Sequence, residues 1–121
     1  MKHIIIGGDG FVGSHLAADL LAMGEEVLVA DIVKSDHAHY AHVPFQRIDV
    51  TNAESVAAIP LHQDDLVYNL SAKMLSPIVT RKERHDFFWP VNYHGTQNIL
   101  SWMEKNGANK LVHFTTDMIY G

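Results

Sequence analysis

Short runs of apolar residues alternate along the chain with longer stretches in which apolar positions recur every three or four residues. The apolar runs predict five buried strands: Ile4–Ile6, Val27–Ala30, Phe45–Val50, Leu66–Leu70 and Lys110–Thr116. The periodic stretches predict helices over Phe11–Met23, Asn52–Ile59 and Thr80–Lys105, the last of them kinked or broken at Pro90.

The first and last helices show which side should face the core. In the first, Val12, Leu16 and Leu20 recur at four-residue spacing and predict the buried face, and Gly24 fits the left-handed position that closes a helix. The inward residues of the last helix are expected to be Val91, Ile99, Trp102 and Met103.

This order of elements predicts an α/β fold. Strands that are almost continuously apolar are typical of a parallel sheet covered by helices on both faces. Right-handed crossovers then give a Rossmann-like, doubly wound sheet of about five strands in the order 3-2-1-4-5. We expect a single domain over residues 1–121, with no separate substrate domain.

Composition narrows the class of protein. The chain is 47% hydrophobic and 19% charged, which suits a folded domain. Its net charge of −5 argues against binding to nucleic acid or to an anionic membrane, both of which favour clustered Lys and Arg. Because the sequence has no cysteine, no long apolar run and no visible signal peptide, we expect a cytoplasmic protein.

The strongest chemical signal is Gly7-Gly8-Asp9-Gly10-Phe11-Val12-Gly13, between the first strand and the first helix. Glycines there let the backbone turn tightly and approach a pyrophosphate, whose charge the N–H groups at the helix start favour. The alternative is a glycine-rich turn with no ligand.

Asp31 ends the second strand, where an acidic residue can bind the adenosine ribose. Its carboxylate would accept hydrogen bonds from the ribose hydroxyls and repel a 2′-phosphate. This predicts NAD rather than NADP as the cofactor, a preference that nearby Lys34 weakens slightly.

Several motifs, in the correct order, resemble the extended short-chain dehydrogenase/reductases, the NAD-dependent epimerase/dehydratase family. Gly7 to Gly13 matches the family's GxxGxxG loop, in which Phe11-Val12 is also typical. Asp49-Val50 resembles the acidic segment that lies beside the adenine in this family. Asn69-Leu70-Ser71-Ala72 resembles its "HLAA" segment, which passes the cofactor, with Asn69 in place of His and Ser71 in place of Ala.

Two later segments extend the resemblance. Residues 92–100 resemble "NVxGTxNLL", and residues 110–121 resemble "RLVYxSSxxVYG", in which Thr116 would be a member of the catalytic triad. Loop and resemblance together imply these cofactor-binding residues: Gly7, Gly10, Phe11, Val12, Gly13, Asp31, Asp49, Val50, Leu70, Ser71, Ala72, Asn92 and Thr115.

The resemblance stops short of the catalytic Tyr-x-x-x-Lys helix, since no tyrosine of this chain has Lys four residues later. In the family, that Tyr moves a proton at the substrate oxygen and the Lys lowers its pKa. With Thr116 alone, the triad is incomplete. The interpretation is therefore the NAD-binding half of a sugar-nucleotide epimerase or reductase, truncated after the fifth strand and inactive alone.

Other functions remain open at this point. A non-catalytic dinucleotide sensor would need the glycine loop but neither Tyr nor Lys, and a stub without function of its own is a third possibility. Dehydratase chemistry is less favoured, because Met118 stands where the family's Thr-Asp-Glu motif has its Glu.

The remaining unusual residues have ordinary explanations. His37, His39 and His42 lie close together, but no further ligands complete a metal site, and a solvated loop is favoured. His113 is expected to be a satisfied core or sheet residue, and the charged residues 82–86 a solvated helix face. An aromatic group predicts core packing or, in part, contact with a second copy, so that a homo-oligomer is expected: Phe87, Phe88, Trp89 and Trp102.

Overall fold

The computed structural model describes residues 1–32, 34, 43–71 and 90–114, with the backbone alone for Phe11 and residues 90–92. Its strands are β1 (Lys2–Ile6), β2 (Glu26–Asp31), β3 (Phe45–Arg47), β4 (Leu66–Asn69) and β5 (Lys110–His113). Its helices are α1 (Phe11–Ala22), α2 (Ala53–Ala57) and α3 (Thr96–Lys105), the last preceded by a π-helical segment, Pro90–Gly95.

The sheet has the predicted topology. All its strands are parallel, in the order β3-β2-β1-β4-β5. β1 is central, and its Ile5 lies between Val29 of β2 and Tyr68 of β4. The chain therefore proceeds from β1 towards one edge of the sheet and from β4 towards the other. Where such connections diverge, the carboxyl ends of the two neighbouring strands border a crevice.

Helices cover both faces of the sheet. Ile4, Ile5 and Ile6 are all fully buried, because successive side chains of β1 point to opposite faces and both faces are covered. Burial of each of these side chains contributes roughly 2 kcal/mol. Ile5 clusters with Ala17 and Leu20 of α1. The other face holds the larger cluster, which includes Ile4, Ile6, Val56, Val67, Ile99, Trp102 and Met103.

Helix α1 departs from its predicted buried face at its first turn. Leu20 is buried and Leu16 half-buried, but Val12 is 54% exposed. Val12 lies in the first turn of α1, next to the glycine loop, so the burial of this helix face does not extend to its start. At its other end the helix closes as predicted, with Gly24 at φ +83°.

The third strand is shorter than predicted. β3 ends at Arg47 because a turn begins two residues later, where the Asp49 carboxylate accepts the N–H of Thr51 and its carbonyl accepts the N–H of Asn52. The Asn52 side chain then caps α2 by accepting the N–H of Glu54 at 3.0 Å.

The long predicted helix is described only from Pro90 onward. Pro90 begins the π-helical segment, and the α-helix follows from Thr96. In α3, Ile99, Trp102 and Met103 are buried as expected, and residues 80–89 and Thr116, the last of the predicted fifth strand, lie outside the described ranges. No helix in the described part of the chain is both long and apolar enough to cross a membrane.

Candidate cofactor-binding site

The glycine loop and the segment after β4 form the two walls of the crevice at the carboxyl ends of β1 and β4. Backbone hydrogen bonds join the walls to the sheet: Gly7 N–H donates to the Ala30 carbonyl and Leu70 N–H to the Ile6 carbonyl, both at 2.8 Å. A Cβ on Gly7 would lie 2.7 Å from the Leu70 carbonyl carbon, and its φ of +78° also favours glycine. The glycine loop and the segment after β4 are therefore too close at this point to leave room for a side chain on residue 7.

The last glycine of the motif serves the packing of helix on loop. A Cβ on Gly13 would lie only 2.5 Å from the Gly8 Cα, which is backbone and has no side chain to move aside. This close approach packs the first turn of α1 directly on the loop that follows β1.

Gly10 differs, because the described protein does not require glycine there. A Cβ at this position would meet one neighbouring atom, the Gly7 carbonyl oxygen, at an ordinary 3.8 Å. Gly10 is the N-cap of α1, and its carbonyl accepts the helix's first hydrogen bond, from Ser14 at 2.8 Å. The space that a side chain would fill lies at a helix start, where N–H groups and dipole favour an anion. The loop thus fits a pyrophosphate.

Asp31 makes contacts that the sequence did not predict. One carboxylate oxygen accepts the backbone N–H of Asp9 at 3.0 Å, and the other accepts that of Ile32 at 2.7 Å. Asp31 is half-buried, and Asp9 within the loop is buried. The acid expected to bind a ribose therefore also holds the glycine loop in place. The pairing of β2 with β1 brings the two segments together, and the sequence spacing carries no sign of this contact.

The segment Asp49-Val50 lies on the β3 side of the crevice. The Asp49 carboxylate accepts the N–H of Thr51 at 2.9 Å and its hydroxyl at 2.6 Å. Asn98 of α3 donates its side-chain amide to the Val50 carbonyl at 2.8 Å, a contact that sequence reasoning missed. Two side chains thus fix the loop that resembles the family's adenine-binding segment.

Asn69 organises the wall on the β4 side. Its side-chain oxygen accepts the N–H of Ser71 at 3.1 Å and the Ser71 hydroxyl, while its nitrogen lies 3.2 Å from Nδ1 of His113. His113 was expected to be a core or sheet residue; it belongs to β5, but its side chain is exposed at the carboxyl edge. The β4–β5 register pairs Asn69 with His113, which explains the contact.

The structure brings most of the predicted cofactor residues to one edge of the sheet. Around the crevice lie the glycine loop with Val12, then Asp31, Asp49-Val50 and Leu70-Ser71. Ala72, Thr115 and Thr116 lie outside the described residues, as do His37, His39 and His42, and the side chains of Phe11 and Asn92 are not described. Within the described ranges, no three His, Asp or Glu side chains converge as metal ligands would.

The chain belongs to the NAD dependent epimerase/dehydratase family, which it matches over residues 3–121. It is 30% identical over 98% of its length to a UDP-N-acetyl-alpha-D-glucosaminuronate decarboxylase of Bacillus cytotoxicus, and 28% identical over its whole length to a UDP-glucose 4-epimerase of Halalkalibacterium halodurans. It spans little more than a third of these relatives, 37% and 36% of their lengths.

A solved structure of a related protein also matches most of this chain but only part of its own length. The UDP-glucose 4-epimerase of Thermus thermophilus, in complex with NAD, superimposes with a TM-score of 0.71 and is 30% identical. The match covers 92% of this chain and 36% of that one. Together with the family, this supports a nicotinamide dinucleotide cofactor.

Proposed function

We propose that this chain is the NAD-binding half of a sugar-nucleotide epimerase or reductase and that its 121 residues bind the cofactor without catalysing turnover. The observation that carries the proposal concerns Gly10, at the start of α1: among the described residues, a Cβ there would meet only the Gly7 carbonyl oxygen, whereas the other glycines of the loop are required by packing. A phosphate group fits that position and accounts for the glycine.

Bound NAD would supply a hydride acceptor, and the residues of the chain would hold and orient it. Gly10 and the start of α1 would take the pyrophosphate, and Asp31 the adenosine ribose. Val50 would lie on the adenine side and Leu70-Ser71 on the side of β4. Thr116 would orient the substrate oxygen, as the family resemblance implies. No Tyr-x-x-x-Lys is present in these residues to move the proton.

The proposed preference for NAD over NADP rests on the charge of Asp31. Its carboxylate ends β2 at the carboxyl edge, where a 2′-phosphate on the adenosine ribose would meet a like charge. Because Asp31 also accepts the N–H of Asp9, a change there alters both the charge and the loop. A change in the ratio of NAD affinity to NADP affinity measures the effect of the Asp31 charge. An equal loss of both affinities measures the effect of disturbing the glycine loop.

Titration calorimetry with NAD and NADP tests the proposal. We expect wild type to prefer NAD, and Asp31→Asn to weaken NAD binding and to lower the NAD/NADP affinity ratio by roughly tenfold, equivalent to about 1.4 kcal/mol. Asp64→Asn is the matched control, since its side chain is 68% exposed near the opposite edge of the sheet. An unchanged ratio in Asp31→Asn would refute the role of its charge.

A dinucleotide sensor is the second candidate, favoured by the same absence of Tyr-x-x-x-Lys. The two differ in whether a sugar nucleotide binds beside NAD. Neither candidate produces NADH, so steady NADH formation by the purified chain with a sugar nucleotide would contradict both. The homo-oligomer and the cytoplasmic location expected from the sequence stay predictions; light scattering of the purified chain measures the first.

A further inference from the structure

The Asn69 carboxamide joins three elements at the carboxyl edge of the sheet. Its side chain is buried, with the residue only 4% exposed. On one side its oxygen accepts the N–H and the hydroxyl of Ser71, in the wall of the crevice. On the other its nitrogen lies 3.2 Å from Nδ1 of His113, at the end of β5, and 3.5 Å from the Thr96 hydroxyl, at the start of α3.

The backbone fixes the polarity of this arrangement. The N–H of Ser71 can only donate, so the carboxamide atom that faces it must be the oxygen. The nitrogen of Asn69 therefore faces His113 and, being an amide nitrogen, it too can only donate. Nδ1 of His113 must then accept, and a neutral imidazole carries its proton on Nε2.

We propose that Asn69 is a positioning residue of the cofactor crevice: it holds Ser71 in the wall beside the glycine loop and fixes His113 as the Nε2–H tautomer. The part that concerns the cofactor rests on the proposed function. The Ser71 nitrogen lies 2.8 Å from the place of a Cβ on Gly7, so a displaced Ser71 changes the spacing of the walls. His113, whose side chain is exposed, then presents an N–H donor at the edge where the strands end.

Asn69→Asp separates the two contacts. A carboxylate still accepts hydrogen bonds from Ser71 but cannot donate one to His113. The neutral imidazole of His113 must then carry its proton on Nδ1, so that it donates to the carboxylate. We expect 15N chemical shifts of the imidazole at alkaline pH to show Nε2–H in wild type and Nδ1–H in the variant. Asn69→Leu removes both contacts, and calorimetry should show its NAD affinity weakened by roughly tenfold, whereas Asn69→Asp keeps the contact with Ser71.

Two further variants complete the experiment. Asn69→His offers one acceptor and one donor nitrogen and should restore NAD affinity to within about threefold of wild type, a residual loss that corresponds to less than one buried hydrogen bond. Asn106→Asp is the matched control, because the Asn106 side chain also donates a hydrogen bond, to the Trp102 carbonyl at 2.8 Å, but at the opposite end of α3. It should change neither the tautomer of His113 nor the affinity.

Each outcome decides a separate point. Protonation of Nδ1 in neutral wild type would overturn the polarity, and an unchanged NAD affinity in Asn69→Leu would overturn the positioning of the crevice. A wild-type chain that binds no NAD would overturn the proposed function, whereas the tautomer change in Asn69→Asp, measured without cofactor, would still establish the control of His113 by Asn69.

Discussion

At each end of the sheet an aspartate carboxylate accepts two backbone N–H groups, but the two aspartates have different surroundings. At the carboxyl end, the Asp31 carboxylate accepts the N–H groups of Asp9 and Ile32. At the amino end, the Asp65 carboxylate accepts those of Lys2 at 2.9 Å and His62 at 2.8 Å. Each acid therefore fixes the backbone at one end of β1: Asp65 where the strand begins, and Asp31 in the loop that follows it.

The surroundings of the two acids differ. Asp65 is 4% exposed, and its charge is balanced by the Lys2 ammonium group, 3.8 Å away. Asp31 is half-buried and contacts the glycine loop at Asp9, next in sequence to Gly10, where the described residues leave room for a side chain. At the amino end the acid is buried and paired with a cation, whereas at the carboxyl end it is half-buried against the glycine loop. Both acids accept backbone N–H groups, so those contacts alone do not mark a binding site. The difference in surroundings makes Asp31 part of a candidate site and Asp65 a structural anchor, a residue that only holds the backbone.

The largest effect is expected for substitution of Gly13, and it distinguishes the glycine needed for packing from Gly10, which packing does not require. Gly13→Ala places a Cβ 2.5 Å from the Gly8 Cα, and the backbone must shift to relieve the overlap. We expect a loss of about 3 kcal/mol in the free energy of unfolding, measured by urea denaturation, together with loss of NAD binding.

Gly10→Ala is the matched control for Gly13→Ala. Among the described residues its Cβ meets only the Gly7 carbonyl oxygen, at 3.8 Å, and Gly10 has the extended conformation of φ −70° and ψ 177°, which alanine adopts readily. The free energy of unfolding should stay within about 0.5 kcal/mol of wild type, while NAD affinity falls by at least about tenfold. Equal losses of stability in the two variants would contradict the distinction between packing and ligand space.

Much of this comparison was predictable from the sequence. The strand order follows from apolar runs and right-handed crossovers, and the glycine loop and Asp31 follow from local spacing. The contacts of Asp9 with Asp31, of Asn98 with Val50 and of Asn69 with His113 escaped prediction, because these partners are distant in sequence and meet through strand register or helix packing. Val12 was misplaced because periodicity identifies the face of a helix but not how far along the helix that face is buried.

The second prediction concerns the anchor at the amino end. Asp65→Asn can accept only one of the two N–H groups and leaves the other facing an amide donor, so we expect a loss of about 2 kcal/mol in the free energy of unfolding. The affinity of the folded protein for NAD should not change. Asp31→Asn, the same substitution at the carboxyl end, should instead weaken NAD binding.

The pH dependence of Asp65 sharpens this prediction. Burial alone raises the pKa of Asp65, but the N–H groups of His62 and Lys2 and the charge of Lys2 outweigh it and hold that pKa below its usual value. The stabilisation is therefore present above the unfolded-state pKa, about 3.9, and is lost as pH falls through the folded-state pKa. The stability difference between wild type and Asp65→Asn should narrow below about pH 4, and a constant difference would contradict this account.

The smallest effect is expected at Tyr68, on the α1 side of the sheet. Its hydroxyl lies 2.9 Å from Nδ1 of the buried His3, whose Nε2 lies 3.4 Å from a Glu25 carboxylate oxygen. Tyr68→Phe removes one hydrogen bond, and we expect a loss of about 1 kcal/mol in the free energy of unfolding at neutral pH. NAD affinity should not change, because this group lies away from the crevice.

Alkaline pH should reduce the effect of Tyr68→Phe. Burial, and then the charge of Glu25, raise the pKa of Tyr68, since both disfavour the phenolate. Below the ordinary tyrosine pKa of about 10, the phenol is protonated in both folded and unfolded chains. As pH rises from there through the folded-state pKa, the unfolded chain releases its proton first, and wild type loses stability that Tyr68→Phe cannot lose. The difference measured by urea denaturation should therefore shrink above about pH 10.

Tyr93→Phe, which removes an exposed hydroxyl bonded to Gln97, controls for the titration of the remaining tyrosines. If wild type and Tyr68→Phe lose stability in parallel at alkaline pH, the Tyr68 phenol does not couple to folding in this way.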